Sequence, residues 1–454
     1  MKSFLPVLFS LLIVNAKEGA AQLQVGSTNI DTTVLASNLT TPWDMVYTHS
    51  DTSLWFTERI GKVSRINLST KQVHVVLDLQ DTVEQVGEGG LLGMAILEKT
   101  TISKVYLVYN YRTKKRTLFE RLVRFDYDTI QDSLINELVL IDSIPAAANH
   151  NGSRLEIINN QLYMTTGDAS NINLPQDIAS LAGKVLRLEL NGSIPSDNPF
   201  PNSPIYSWGH RNAQGLYYAN GFLYSSEHGP NSDDEINTIE KGRNYGWPDV
   251  KGFCNTPSEI TFCTDSNVVE PLFAWTPTVA TSGICYYDHP AIPEWEGHLL
   301  LTTLKDQRVI QLSLNSTKDS ITGTSDFFIN RWGRLRDITS DPEGSVYIAT
   351  NSFPQKIIKL FNANYTAIQE QSDIYDAVKI YPNPVVAELS IEIDQLIQGN
   401  FNLKIYELSG KVVLNTDLLT RSSRVDLRTL KSGIYIVKVT NNGSELRVKK
   451  LIVE

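Results

Sequence analysis

Three cysteines in 454 residues are too few for a disulfide scaffold. Cys254, Cys263 and Cys285 give no zinc-type ligand spacing and no CxxCH for haem attachment. The nicotinamide fingerprint GxGxxG and the hydrolase elbow GxSxG are also missing, so a nicotinamide oxidoreductase and a serine hydrolase lose their usual signatures. The formal net charge is −10 and no Lys/Arg-rich run occurs, which excludes the electrostatic footprint of a nucleic-acid binder. Past the amino terminus no segment approaches the roughly 18 uninterrupted apolar residues of a membrane span.

What is present is an ordinary globular composition, 41% hydrophobic and 20% charged, with length for a large core and a second domain. Residues 1–21 run from Lys2 through the apolar stretch Phe4 to Val14 to the small residues Gly19, Ala20 and Ala21, the order of a cleavable signal peptide. The mature chain is therefore expected to be exported. Cys254 and Cys263 lie in the loop-like stretch KGFCNTPSEITFC, which a local disulfide would staple; sequence leaves open whether they are bonded. Cys285 in TSGICYYD reads as a buried thiol on a strand.

From about residue 40 to 361 a unit recurs in which a short apolar strand, a turn and a second strand follow one another. SLWFTER leads to GKVSRINL, KVYLVYNY to RLVRFDY, QLYMTTGD to GKVLRLEL, FLYSSEHG to DEINTIE, HLLLTTL to QRVIQLSL, and SVYIATN to QKIIKLF. Six such pairs, with further β-like runs between them, fit a radial repeat of four-stranded sheets. The expected fold is all-β: a six-bladed β-propeller over 22–361, a polar linker at 362–377, and a small Ig-like β-sandwich at 378–454. The tail begins with YPNP and carries the strand-like run GIYIVKV near its end. In both it resembles the carboxy-terminal sorting domain of the type IX secretion system of Bacteroidetes. That resemblance implies passage through the periplasm, the type IX machinery as a partner, and a secreted or surface-attached product.

Four polar loop segments adjoin strands of different expected blades: VGEGGLLGM (86–94), ANHNGSRL (148–155), YSWGHRNAQGL (206–216) and SSEHGPNSDDEIN (225–237). In a propeller such loops converge at one end of the central channel. In this order, and continuing through GRNYGWP, AWTPTVATSG, TTLKDQRV and GRLRDI, they resemble the motifs of the soluble quinoprotein glucose and aldose sugar dehydrogenases. Those are six-bladed propellers that use pyrroloquinoline quinone (PQQ) and calcium.

The resemblance implies roles residue by residue. His150 becomes the general base, suited to taking the hydroxyl proton of a sugar hemiacetal while hydride leaves the same carbon. Arg211 would face the quinone oxygen that gains negative charge, and Asn212 would hydrogen-bond the cofactor. The carbonyls of Gly229 and Pro230 would hold the cofactor's calcium, and Glu235 with the Tyr245 carbonyl a second, structural one, while Asp233 and Asp234 read as a solvated acidic run. Lys305, Arg334 and Arg336 would meet the cofactor's three carboxylates, strand alternation placing the two arginines on one side. His210 and Gln214 read as structural, and Trp275 as a pocket wall. Glu88 and Asn149 stand where the glucose enzyme has glutamine and aspartate, so they would touch substrate and sugar preference does not carry over.

The resulting expectation is an exported aldose dehydrogenase that passes electrons to a separate external acceptor. The competing class is a propeller that binds carbohydrate or protein without a cofactor. The joint presence of His150, Arg211, Lys305, Arg334 and Arg336 favours the enzyme. Seven N-x-S/T sequons occur, one of them at Asn151 beside the expected base.

Overall fold

The computed structural model describes residues 23–98, 101–365, 378–393, 399–420, 422–441 and 444–453. The expected signal peptide at 1–21 and most of the expected linker, 366–377, lie outside the described residues. The chain divides into two compact units, 1–363 and 364–454.

In the first unit, Pro42–Thr48, Ser53–Glu58, Lys62–Asn67 and Val73–Asp78 form a four-stranded antiparallel sheet in chain order. Four more such sheets follow, spanning 91–145, 152–208, 213–275 and 281–327. The sixth combines Leu335–Ser340, Val346–Thr350 and Lys356–Phe361 with Thr28–Ser37 from the start of the chain, paired as Thr33 opposite Lys359. The innermost strands touch in cyclic order, the sixth returning to the first, which is the arrangement of a propeller. The two ends of the unit are thus laced into one sheet. Sequence reading began the repeat near residue 40 and missed the amino-terminal contribution, because a strand paired only in tertiary space carries no local sign of its partner.

Burial follows position within each sheet. Ser53–Glu58 is buried along its whole length, whereas Val73–Asp78 at the outer edge is largely exposed. Apolar faces of neighbouring sheets pack together; Trp55 and Val63 of the first meet Leu107 and Tyr109 of the second. Each innermost strand has a register shift near its entry, at Pro42/Met45, Leu91/Met94, Gly152/Leu155, Ala213/Gly215, Thr281/Ile284 and Leu335/Asp337. A bulge redirects side chains locally. The bulged stretches bring Asp44, Arg154 and Asp337 together in the middle of the channel, where Arg154 Nη1 lies 2.6 Å from Asp44 Oδ1 and Nη2 2.8 Å from Asp337 Oδ1.

One sequence expectation changes here. The stretch around Cys254 is not a loop throughout, since Pro257–Ser266 is an α-helix with a Thr256/Glu259 capping box and proline in its first turn. Its apolar periodicity is too weak to announce a helix, and no residue of it is buried. Cys254 and Cys263 form a disulfide, and Cys285 is a fully buried thiol.

The second unit contains two antiparallel sheets, one of Val378–Tyr381, Glu388–Ile393 and Ser422–Asp426, the other of Phe401–Glu407, Val412–Leu418, Gly433–Asn441 and Ser444–Val453. Leu389 and Ile391 from one and Leu403, Ile405 and Val437 from the other share a single core.

Candidate active site at the strand-entry end of the channel

His150 sits just before the inner strand Gly152–Ile158 with φ +63°, a left-handed conformation uncommon outside glycine. The loop is held by Asn151, whose side chain accepts from Ala147 N at 3.1 Å and donates to Ala147 O at 3.0 Å. Asn151 is 4% exposed, so its sequon is no accessible acceptor. The His150 carbonyl presses on Gly167, where any Cβ would lie 1.9 Å from it. A glycine is therefore required beside the next residue, Asp168, which is buried.

Asp168 Oδ1 lies 2.8 Å from His150 Nδ1, and its Oδ2 accepts the Trp247 indole N–H at 3.0 Å. The carboxylate can only accept, so the imidazole proton resides on Nδ1 and Nε2 presents its lone pair. Arg211 Nη2 lies 3.2 Å from that Nε2, while Nη1 donates to the His228 carbonyl at 3.0 Å. The Arg211 guanidinium also lies 5.3 Å from the Trp247 ring. Sequence reasoning missed Asp168 and Trp247; the signal for the first was the Gly-Asp pair closing YMTTGD.

Asn212 is fully buried; its Oδ1 accepts from Gly152 N at 3.1 Å and from Gln214 Nε2 at 3.0 Å. Gln214 in turn accepts from Arg336 Nη1 at 2.7 Å. It therefore links two of the expected cofactor residues, Asn212 and Arg336. His210 is fully buried, bonded to Glu227 at 3.0 Å and Ser207 at 2.8 Å and stacked on Tyr245.

Burial pulls the Arg211 guanidinium below its ordinary range and brings that of Arg336 down to about 9. Around Arg211, Asp168, Glu227, Asp234 and Glu88 oppose the burial, whereas Arg336 has Glu88 alone against Arg59, Arg154 and Arg334. Arg211 Nε, Arg336 Nε and Asn212 Nδ2 are buried without a hydrogen-bond partner. Unpaired buried donors beside an undercompensated Arg336 suit an anionic, oxygen-rich ligand, which is the chemistry of a tricarboxylate quinone.

Arg334 and Arg336 differ in burial. Arg334 is exposed at the strand entry and Arg336 is buried, although Arg334 is near enough to depress Arg336 further. Lys305 is exposed and donates to the Thr278 carbonyl at 2.7 Å. Glu88 and Asn149 are exposed, and Glu88 Oε2 accepts from His150 N at 3.4 Å. Trp275 ends the outermost strand of its sheet, against Phe273 and opposite Asp234 in register.

The Gly229-Pro230 turn is fixed by Asp234, whose Oδ1 accepts Gly229 N at 2.8 Å and whose Oδ2 accepts Val279 N at 2.8 Å. Asp234 is buried and internally bonded, not part of a solvated face. Neither the Gly229 nor the Pro230 carbonyl accepts a hydrogen bond among the described residues. A small hole of about 10 Å³ opens among Gly229, Pro230, Glu235 and Tyr245. Burial, with Glu227 nearby, lifts Glu235 to about 8, as expected of a carboxyl deprived of a cation. Uncommitted carbonyls and an undercompensated acid around an ion-sized space match the oxygen chemistry of calcium, although no group of three His, Cys, Asp or Glu converges for a metal among the described residues.

The glucose/sorbosone dehydrogenase family profile matches residues 39–359, and the secretion system C-terminal sorting domain profile matches 379–454. Quinoprotein glucose dehydrogenase B of Acinetobacter calcoaceticus is 31% identical over 414 residues, covering 72% of this chain and 86% of that protein. The soluble aldose sugar dehydrogenase of Escherichia coli superposes with a TM-score of 0.67 at 27% identity, over 73% of this chain and 99% of the other. The PQQ-bound aldose sugar dehydrogenase of Streptomyces coelicolor gives 0.63 at 27% identity, over 73% and 98%.

Proposed function

This chain belongs to the glucose/sorbosone dehydrogenase family, and from that premise we propose that it oxidises an aldose at the anomeric carbon to the lactone, using PQQ and calcium and passing electrons to a separate acceptor. The observation that carries the reading is His150 held between Asp168 and Arg211 at 2.8 and 3.2 Å. When bound, PQQ supplies a quinone carbonyl able to take up hydride, and calcium polarises it.

The chain's own residues account for the rest. Asp168 fixes the tautomer, so the lone pair is on Nε2 of His150, which Arg211 Nη2 meets at 3.2 Å and which would receive the anomeric hydroxyl proton when the sugar takes that place. Arg211 would turn a planar, charged donor toward the quinone oxygen, where negative charge gathers as hydride arrives. Buried Arg336, with Arg334 and Lys305 at the rim, would hold the cofactor carboxylates, and Asn212 would add a neutral donor. The carbonyls of Gly229 and Pro230 would hold the cofactor's calcium, and Glu235 with the Tyr245 carbonyl the second ion. Glu88 and Asn149, exposed beside the base, would contact sugar.

Residues 22–361 would then be the catalytic domain, 362–377 a linker, and 378–454 an Ig-like sorting module that directs export through the periplasm after signal removal. Deleting the chain from about 378 onward should leave turnover unchanged while abolishing surface delivery.

The decisive experiment loads the full chain with PQQ and calcium and follows the absorbance of the bound quinone in a single turnover with a panel of aldoses. Such a measurement keeps the external acceptor out of the result. Reduction by at least one aldose, lost on the order of 10²- to 10⁴-fold in His150→Gln with PQQ still bound, is the expected outcome. Failure to bind PQQ at all would leave a cofactor-free binding propeller in its place.

A further inference from the structure

The inner strands enter at the His150 end and leave at the other, where a cavity of about 520 Å³ opens. Its floor includes Arg154, Asp44 and Asp337, the ion-paired group that fills the middle of the channel, so this space lies across that plug from the candidate active site. Tyr47, Glu156, Tyr217, Tyr286 and Asp288 contribute to its walls. A volume of this size is that of a small-molecule pocket, for which roughly 300–1,000 Å³ is usual.

The carboxyl groups lining this cavity, Asp44, Glu156, Asp288, Asp337 and Asp341, outnumber its Arg154, His49 and His289. Arg154 is committed to Asp44 and Asp337. His49 at the rim is paired with Glu98 at 3.4 Å, and Lys318, 5.8 Å from the Tyr286 ring, gives its Nζ to the Gly297 carbonyl at 2.7 Å. Asp341 is occupied by Ser345 N at 2.8 Å and Tyr347 OH at 2.6 Å. No ion pair among the described residues uses Glu156 or Asp288; Glu156 has only the Tyr218 backbone N–H. Both carboxylates bear on Tyr217, whose phenol is held above its ordinary range by burial first and then by Cys285, Glu156 and Asp288. An aromatic ring sharing one cavity with two carboxylates that lack a counter-ion makes a cation site in chemical terms. No three acidic, histidine or cysteine ligands converge here among the described residues.

We propose that this cavity binds a small organic ammonium ion, its charge between Glu156 and Asp288 and its carbon frame against the tyrosine rings. The site would be separate from the dehydrogenase centre and does not depend on that assignment.

The test uses the full-length protein and calorimetry at pH 8.5, with choline and n-butylammonium as probes and 3,3-dimethylbutan-1-ol, the uncharged isostere of choline, as control. At least one ammonium should bind at least tenfold more tightly than the alcohol. Glu156→Gln and Asp288→Asn should each weaken it tenfold or more, while His150→Gln, at the opposite end, should leave it unchanged. Asp288 is exposed, so Asp288→Asn keeps the test valid should Glu156→Gln fold poorly. Absence of binding by both ammonium ions, equal binding of the alcohol, or unaltered affinity in Asp288→Asn would overturn the proposal.

Discussion

His150 Nδ1 and Asp168 Oδ1 stand 2.8 Å apart, joining two loops 18 residues apart in sequence through a carboxylate that is 1% exposed. A buried acceptor in that place decides which imidazole nitrogen carries the proton, and so which one is a base.

Asp168→Asn should therefore impair chemistry more than binding. The amide can donate to Nδ1 and favour the other tautomer, removing the lone pair from Nε2. Single-turnover quinone reduction should fall on the order of 10²- to 10⁴-fold, while PQQ affinity stays within about threefold. Equal losses in affinity and rate would show that Asp168 merely supports the loop.

The cations should divide by burial. Arg336 is 5% exposed, and Lys305 is on the surface. Arg336→Leu should weaken PQQ binding by roughly 100-fold or more, because a desolvated charge-assisted contact is worth about 2–5 kcal/mol. Lys305→Ala should cost less than about tenfold, since exposed ion pairs contribute only about 0–1 kcal/mol. Calorimetric titration of PQQ into each variant reads the difference; matching losses would refute the ordering.

Removing the cation of the channel plug should be costly. Arg154→Met leaves Asp44 and Asp337 buried with no positive charge between them, a change that typically destabilises by about 3–5 kcal/mol. Urea unfolding of the variant should show a lower midpoint with an unaltered slope. A midpoint near that of the parent chain would mean that the two acids are held well enough by the Met45 and Met94 amides that they also accept.

Glu156 should make stability depend on alkaline pH. Burial lifts its carboxyl from 4.5 to about 8, so the folded chain holds this proton more tightly than the unfolded chain. Its contribution is fully present below about pH 4.5 and is lost as pH rises through about 8. The Gln variant cannot ionise. It should melt with the parent at pH 5 and a few degrees above it at pH 9, a modest gap because the side chain is partly exposed. Parallel melting curves across that range would contradict the assignment.

The sequence by itself determined the local and repetitive parts of this protein. Six strand pairs with turns between them carried the all-β repeat, because alternating burial is written residue by residue. Ordered motifs such as NHNGSRL and GHRNAQGL marked His150, Arg211 and Asn212 through their resemblance to the quinoprotein sugar dehydrogenases, whereas the convergence of loops at one end of a propeller only made a shared site possible. Only the tertiary structure decided the rest. Thr28–Ser37 closes the sixth sheet against a strand more than three hundred residues away, a pairing no local pattern encodes. Arg334 and Arg336 are near neighbours in sequence yet one is exposed and the other buried, because the bulge at Leu335/Asp337 breaks the alternation that would have placed them alike. Trp247 and the Asp44–Arg154–Asp337 group became visible only once separate strands met, and the part of Asp168 beyond its Gly-Asp signal likewise, since a buried polar residue is defined by its partners and not by its own type.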